Sequence, residues 1–221
     1  MIVSQIVQRI VVALVLIATP LACVQTASEP PRTGGLLLAW SAAECANHSI
    51  DADRDGLDDR CELALAQAFA PELIVDSRDC LWTEDSSLPR LGGGYFFAAQ
   101  RTRAAVRIVF LPAYYRDCGW SGAVCVLVGG NCGAHAGDSE LIVVDVVPDS
   151  APRRWRTDGV FLSAHCFGRS DGRCRWYRSD GLRAFAWADS ARGGAPRAWV
   201  ARGKHAHYPS RRLRPGALVL R

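Results

Sequence analysis

The sequence predicts a mostly β protein: an antiparallel β-sandwich preceded by a short N-terminal helix–calcium loop–helix. Three observations carry that expectation. The segment DADRDGLDDRCE, Asp51 to Glu62, has the residue spacing of a calcium loop set between two short helices. Beyond Pro71 the chain turns to short runs rich in valine, isoleucine and aromatic residues, separated by glycine-bearing turns. No long helical stretch lies between those runs, which favours a sandwich over a helix-covered parallel sheet.

The first 22 residues carry Arg9 and then the apolar run IVVALVLIATPLA, Ile10 to Ala22, before the composition turns polar at Gln25 to Arg32. Residues 1–22 therefore read as a signal peptide, and the run falls short of the roughly 20 residues a spanning helix needs. Cys23, in PLAC, stands where a bacterial lipoprotein carries its lipid-bearing cysteine. It is a lipidation candidate, with ordinary cleavage between Ala22 and Glu29 as the alternative. Residues 23–35 contain Pro30, Pro31, Gly34 and Gly35 and read as a linker. Together these features predict an exported protein that is periplasmic, an outer-membrane lipoprotein or secreted.

Residues 36–70 are expected to form the helix–loop–helix. One helix covers about Ala39 to His48, and a second covers about Asp58 to Phe69, burying Leu63, Leu65, Ala66 and Phe69 and ending before Pro71. Calcium takes about six to eight oxygens, which a loop of this kind supplies from fixed positions. Asp51, Asp53, Asp55, the Leu57 carbonyl, Asp59 and Glu62 fill those positions, and Gly56 stands at the sharp turn. The alternative is an acidic surface turn, but carboxylates packed this closely repel one another without a cation. Position eight, hydrophobic in paired loops, is Asp58. The loop is therefore expected to be solitary and structural, similar to those of thrombospondin type 3 repeats and dockerins.

Residues 71–221 are expected to form the sandwich, with strands near 104–111, 123–128, 140–147, 159–165, 182–188 and 198–201. Turns are expected at Gly92–Gly94, Ser170–Gly172 and Arg192–Gly194. With 26 basic and 22 acidic residues the net charge is +4, too mild and too dispersed for a nucleic-acid partner. Setting Cys23 aside leaves Cys45, Cys61, Cys80, Cys118, Cys125, Cys132, Cys166 and Cys174. In an exported chain this even number implies up to four disulfides, and a Cys45–Cys61 bond would close the calcium loop. No C-x-x-C pair argues for zinc.

A second candidate site lies in GAHAGDSELIVVDV, Gly133 to Val146. Asp138 and Glu140 are two apart, so both project from one face of a strand, with His135 close by. Such a set suits a second divalent cation or acid–base work, or else Asp138 closes a turn and Glu140 is an ordinary strand residue. His205 and His207, in ARGKHAHYPS, share a face if that segment is extended and are candidates for the same site. His165 stands in a later strand, and His48 reads as structural. GDSE and LSAHC stand in the wrong order and at the wrong separation for a serine protease.

Several segments resemble the vacuolar protein sorting-associated protein 62 family and, more distantly, the necrosis-inducing, Nep1-like proteins. They are AQAFAPELIVDSRD, VRIVFLPAYYRDCGW, HAGDSE, FLSAHCFG and AWVARGKHAHYPS, spanning about Ala66 to Ser210, with Ser139 where the family carries tryptophan. The resemblance implies a β-sandwich, a divalent cation at His135, Asp138 and Glu140, and contact with a membrane surface or glycolipid head group. The expected function is thus an exported, disulfide-bonded, calcium-binding β-sandwich that takes a cation or polar ligand at the second site, with a protein partner unidentified. A metal-dependent hydrolase and a membrane-active, cytolysin-like protein are the alternatives, and nothing in the sequence requires an enzyme.

Overall fold

A computed structural model of the chain describes residues 35–47, 49–81, 91–120, 125, 127, 132–164, 174–188, 194–209 and 217–220. All of them belong to one compact unit, Thr33–Arg221. Residues 1–22 (expected to be a signal peptide), Cys23, nearly all of the expected linker 23–35, His48, His165 and Cys166 lie outside the described residues.

The elements run β1 (Leu36–Leu37), α1 (Ala42–Cys45), α2 (Asp59–Phe69), β2 (Glu72–Asp76), β3 (Leu91–Arg101), β4 (Val106–Trp120), β5 (Cys132–Ser139) and β6 (Ile142–Pro148). They continue through β7 (Arg154–Leu162), β8 (Arg175–Arg178), a 3-10 helix (Ser179–Ala184), β9 (Arg197–Val200), β10 (His207–Pro209) and β11 (Ala217–Leu220). The protein is mostly β with antiparallel sheets. Seven strands form one sheet in the order β1-β7-β6-β4-β3, with β5 also on β4 and β8 also on β7. The other four run β10-β9-β2-β11, and within that sheet β2 pairs with β9 in parallel.

Both sheets feed one core. Alternation along β4, β6 and β7 turns Ile108, Phe110, Ile142, Val144, Val146, Val160 and Leu162 inward, where they join Leu73, Val75, Ala198 and Val200 of the smaller sheet. α2 adds Leu65, Ala66 and Phe69 to the same cluster, so the helices and the sandwich are stabilised together. Each fully buried Val, Leu, Ile or Phe among them contributes about 1.5–3 kcal/mol.

The helices follow their local signals. Ser41 caps α1 by accepting from the Glu44 N–H, and the Glu44 carboxylate accepts from the Ser41 N–H at 2.7 Å. That cap starts α1 at Ala42, three residues after the expected Ala39, and the helix ends at Cys45, short of the expected His48. Asp58 caps α2, which stops at Phe69 because Ala70, preceding Pro71, is driven out of helical geometry. A Cys45–Cys61 disulfide, Cα to Cα 5.4 Å, ties the two helices.

Several local expectations differ from the structure. Leu63, expected on the buried face of α2, is exposed, and Cys61 takes its place in the core. Gly92–Gly94 does not turn the chain but sits in β3, where the register with β4 shifts between Leu91 and Gly94. The run at 123–128 is not seen as a strand: Cys125 and Leu127, its described residues, are helical, and Cys125 is tied to Cys132. The run at 182–188 opens as the 3-10 helix, entered through Ser179 at φ 46°. Its apolar side chains cap the core through ring contacts, Phe185 meeting Tyr177 edge-on at 5.2 Å, and its end pairs through an isolated antiparallel bridge between Trp187 and Pro196.

Candidate functional site

The acidic loop hangs between α1 and α2. Asp58 does not face into it: this buried carboxylate accepts from Ser49 Oγ at 2.8 Å and from Arg60 Nε and Nη2 at 3.0 Å each. Arg60 above all, with Ser49 and the Arg60 N–H, holds it well below the usual carboxylate range. Position eight thus departs from the hydrophobic pattern because it is the helix cap.

The remaining acids turn inward. Asp51 accepts from the N–H groups of Asp55 and Gly56, both at 3.2 Å, and Asp59 accepts from Ala52 at 3.0 Å. Gly56 adopts φ 93°, which a side chain would strain. Carboxylate oxygens of Asp51, Asp53 and Asp59 lie within 4.8 Å of one another, as do those of Asp53, Asp55 and Glu62. Leu57 buries its side chain in the core, while its N–H donates to Asp55 at 2.8 Å. Asp55 also accepts from the Arg101 N–H at 2.7 Å, docking the loop on the end of β3. Glu62 Oε1 is buried without a hydrogen-bond partner. Burial, and then the charges of Asp55, Asp53, Asp59 and Asp51, push Glu62 up to about 7.

The second-site residues are distributed differently from the expectation. Asp138 and His205 meet directly, His205 Nδ1 lying 2.9 Å from Asp138 Oδ2, while His205 Nε2 lies 3.3 Å from Asp79 Oδ1. Asp79 also accepts from the N–H groups of Gly203 at 2.8 Å and Leu81 at 3.0 Å. The Tyr114 ring stacks on His205 at 4.4 Å, and the Tyr114 hydroxyl pairs with His207 Nε2 at 2.7 Å. His205 and His207 do not share a strand face. Ala201–His205 is a turn in which the His205 N–H donates to the Ala201 carbonyl at 2.8 Å, and only His207 enters β10.

His135 is exposed on β5, with Nδ1 2.7 Å from the Gly137 carbonyl and Nε2 3.5 Å from Asp117 Oδ2. Asp117, itself buried, also receives Lys204 Nζ at 2.9 Å and the Gly119 N–H at 2.6 Å. Glu140 is buried and accepts from Ser163 Oγ. His135, Asp138 and Glu140 therefore do not converge on a single point among the described residues.

Burial works against charge on His205, but hydrogen bonds to Asp138 and Asp79 outweigh it and raise the ring to about 9. Burial likewise pushes Asp79 up, and His205, Gly203 and Leu81 together bring it below its usual value. At neutral pH the ring is an imidazolium donating to two carboxylates, and it has no nitrogen free to act as a base. Asp79, Tyr114, Asp117 and Lys204 complete the cluster and are absent from the residue set expected from sequence. One signal was present: an Asp–Cys pair occurs at Asp79–Cys80 and again at Asp117–Cys118, and the Cys80–Cys118 disulfide brings both aspartates to this corner.

Comparison of the chain with protein-family models, with curated proteins and with solved structures found no match.

Proposed function

We infer that this is an exported, disulfide-bonded β-sandwich that binds calcium at the Asp51–Glu62 loop and presents a polar-ligand surface beside His135 and Asp138. The observation that carries the reading is Glu62 Oε1, buried, without a partner, and facing aspartates that all push its carboxyl the same way. Folding has gathered negative charge here, and a hard divalent cation with about six to eight oxygen ligands would compensate it. Asp51, Asp53, Asp55, the Leu57 carbonyl, Asp59 and Glu62 supply the ligands. The Cys45–Cys61 bond lowers the entropy lost on ordering the loop.

Export is supported by the apolar run at Ile10–Ala22 and by disulfides at Cys45–Cys61, Cys80–Cys118 and Cys125–Cys132, with Cys174 also bonded. No helix among the described residues is long and apolar enough to cross a membrane. A metal-dependent hydrolase is less favoured, because Glu140 is engaged with Ser163 and His205 with two carboxylates.

Calorimetric calcium titration and thermal melting of the oxidised protein test the reading, with Asp51→Ala and Glu62→Gln beside the parent. The parent is expected to bind one calcium at the loop and to melt higher with it, and both variants to lose that event. A parent that neither binds nor shifts would make the loop an acidic turn.

A further inference from the structure

Apart from the loop, one group of side chains among the described residues is close enough to hold a metal. Asp79, Cys80, Cys118 and His205 each offer a ligand atom, and the four atoms lie within 4.8 Å of one another. The two sulfurs are joined in a disulfide, in which they are poor ligands, whereas thiolates bind metals strongly. We propose that reduction of Cys80–Cys118 turns this corner into a tetrahedral Cys80–Cys118–His205–Asp79 site for a zinc-type divalent cation, so that the bond switches metal binding.

Three features prepare the site. The first is spacing: zinc bonds of about 2.0–2.3 Å put tetrahedral ligand atoms roughly 3.6 Å apart, within the observed separation. The second is the orientation of His205. Its Nε2 faces the cluster while its Nδ1 is held by Asp138 at 2.9 Å, an arrangement in which a carboxylate accepts from one ring nitrogen and leaves the other for a metal. Burial and the Tyr114 stack fix the ring plane.

The third is that backbone contacts hold the corner independently of the sulfur–sulfur bond. The Cys118 N–H donates to the Gly203 carbonyl at 2.9 Å, and the Gly203 N–H donates to Asp79 at 2.8 Å, fastening the 201–205 turn to both cysteine-bearing segments. Gly203 sits at φ 78°, where a side chain is strained, and a Cβ there would crowd the Gly119 carbonyl oxygen at 3.1 Å, so glycine favours this approach. Asp79 and His205 are buried, whereas Cys80 and Cys118 are partly exposed.

The chemistry balances with a dithiol as reductant. Its thiolate attacks one cysteine sulfur, its second thiol resolves the mixed disulfide, and the products are two protein thiols and an oxidised dithiol. The metal then displaces both thiol protons and the proton on His205 Nε2. This site is separate from the loop, whose all-oxygen donors suit a harder cation.

The test uses the full chain with limiting phosphine, the reduced cysteines being mapped by alkylation and mass spectrometry, and Co2+ as the probe. The reduced protein is expected to bind one Co2+ with the intense visible bands and thiolate charge-transfer absorption of a tetrahedral site, and the oxidised protein to show neither. Cys80→Ser with Cys118→Ser should abolish the spectrum while far-UV circular dichroism is kept, and Cys45→Ser with Cys61→Ser should leave it intact. Asp138→Asn should weaken Co2+ binding by about 10–100-fold, as loss of a supporting carboxylate does. A weak octahedral spectrum, a spectrum that survives the Cys80/Cys118 substitutions, or a bond that resists reduction until the chain unfolds would each overturn the proposal.

Discussion

In the loop, burial and then the charges of Asp55, Asp53, Asp59 and Asp51 push Glu62 up to about 7, whereas at the His205 corner Asp79 and Asp138 flank a ring raised to about 9. Asp145 follows the pattern of the corner. It is buried in the large sheet and accepts from Arg107 at 2.8 and 3.0 Å and from Arg178 at 2.5 Å. Both guanidiniums also lie over the Trp176 ring, at 4.8 and 4.5 Å from its centre. Acids whose counter-charge comes from the chain itself are complete structural units. The loop acids face one another and accept from backbone N–H groups, so Glu62 lacks the charged partner that the corner supplies, and this contrast is what points the proposed function to the loop.

The largest effect that could break the contrast is at His205. His205→Ala leaves Asp79 and Asp138 in a buried corner without their cation, and removal of one partner from such a site costs about 3–5 kcal/mol. In a chain of this size the melting temperature should fall by roughly 10 °C, in chelator as much as in calcium. A loss under about 1 kcal/mol would show that the ring does not compensate the two acids.

Next is the loop, where neutralising an acid should have the opposite sign. Without calcium, Glu62→Gln removes repulsion and should melt no lower than the parent. With free calcium at 100 times the parent's dissociation constant it should lack the parent's gain of about 2.7 kcal/mol. Paired melts in chelator and in calcium measure both. A variant that is less stable than the parent in chelator would place Glu62 among the self-compensated acids.

The two regions were also unequally legible in the sequence. The loop is local: its ligands, its turn glycine and its flanking cysteines all fall between Cys45 and Glu62, so spacing alone predicts their convergence. The corner is assembled over long separations, 126 residues between His205 and Asp79 and 93 between His207 and Tyr114. Residue types there could be recognised, but not partners, and the extended reading of 205–207 missed a turn that puts His205 at φ 51°. Among the strands, β6 and β9 were legible because their β-branched and aromatic runs lie within the sheets. The run at 182–188 carries equally apolar residues, but the 3-10 turn at its start sends them over the end of the core.

Asp145→Asn is expected to cost about 2 kcal/mol, the scale of hydrogen bonds to a charged group, because its two arginines are half-exposed and solvent screens part of the attraction. Burial raises the Asp145 carboxyl, but Arg107 and Arg178 outweigh it and hold it below the ordinary value of 3.8. Its stabilising contribution is therefore complete above that value and is lost as pH falls through the lower folded one. Urea melts of parent and variant should differ fully at neutral pH and converge in acid. A gap unchanged down to the acid transition would assign the loss to packing under Trp176.

The smallest expected effect lies at Tyr114, where the ring and the hydroxyl can be separated. Tyr114→Phe keeps the stack on His205 at 4.4 Å and removes only the hydroxyl bonded to His207 at 2.7 Å, so about 1 kcal/mol should be lost. Tyr114→Leu removes the stack as well and should cost more, since the aromatic face that lies against the imidazolium attracts it. If the stack helps His205 hold its charge, the His205 ring signals in an NMR titration should keep a raised midpoint in the phenylalanine variant and shift toward the ordinary value of 6.5 in the leucine variant. Equal midpoints in the two variants would leave Asp79 and Asp138 as the sole support of that charge, and would narrow the contrast with the loop to the presence or absence of one cation among the acids.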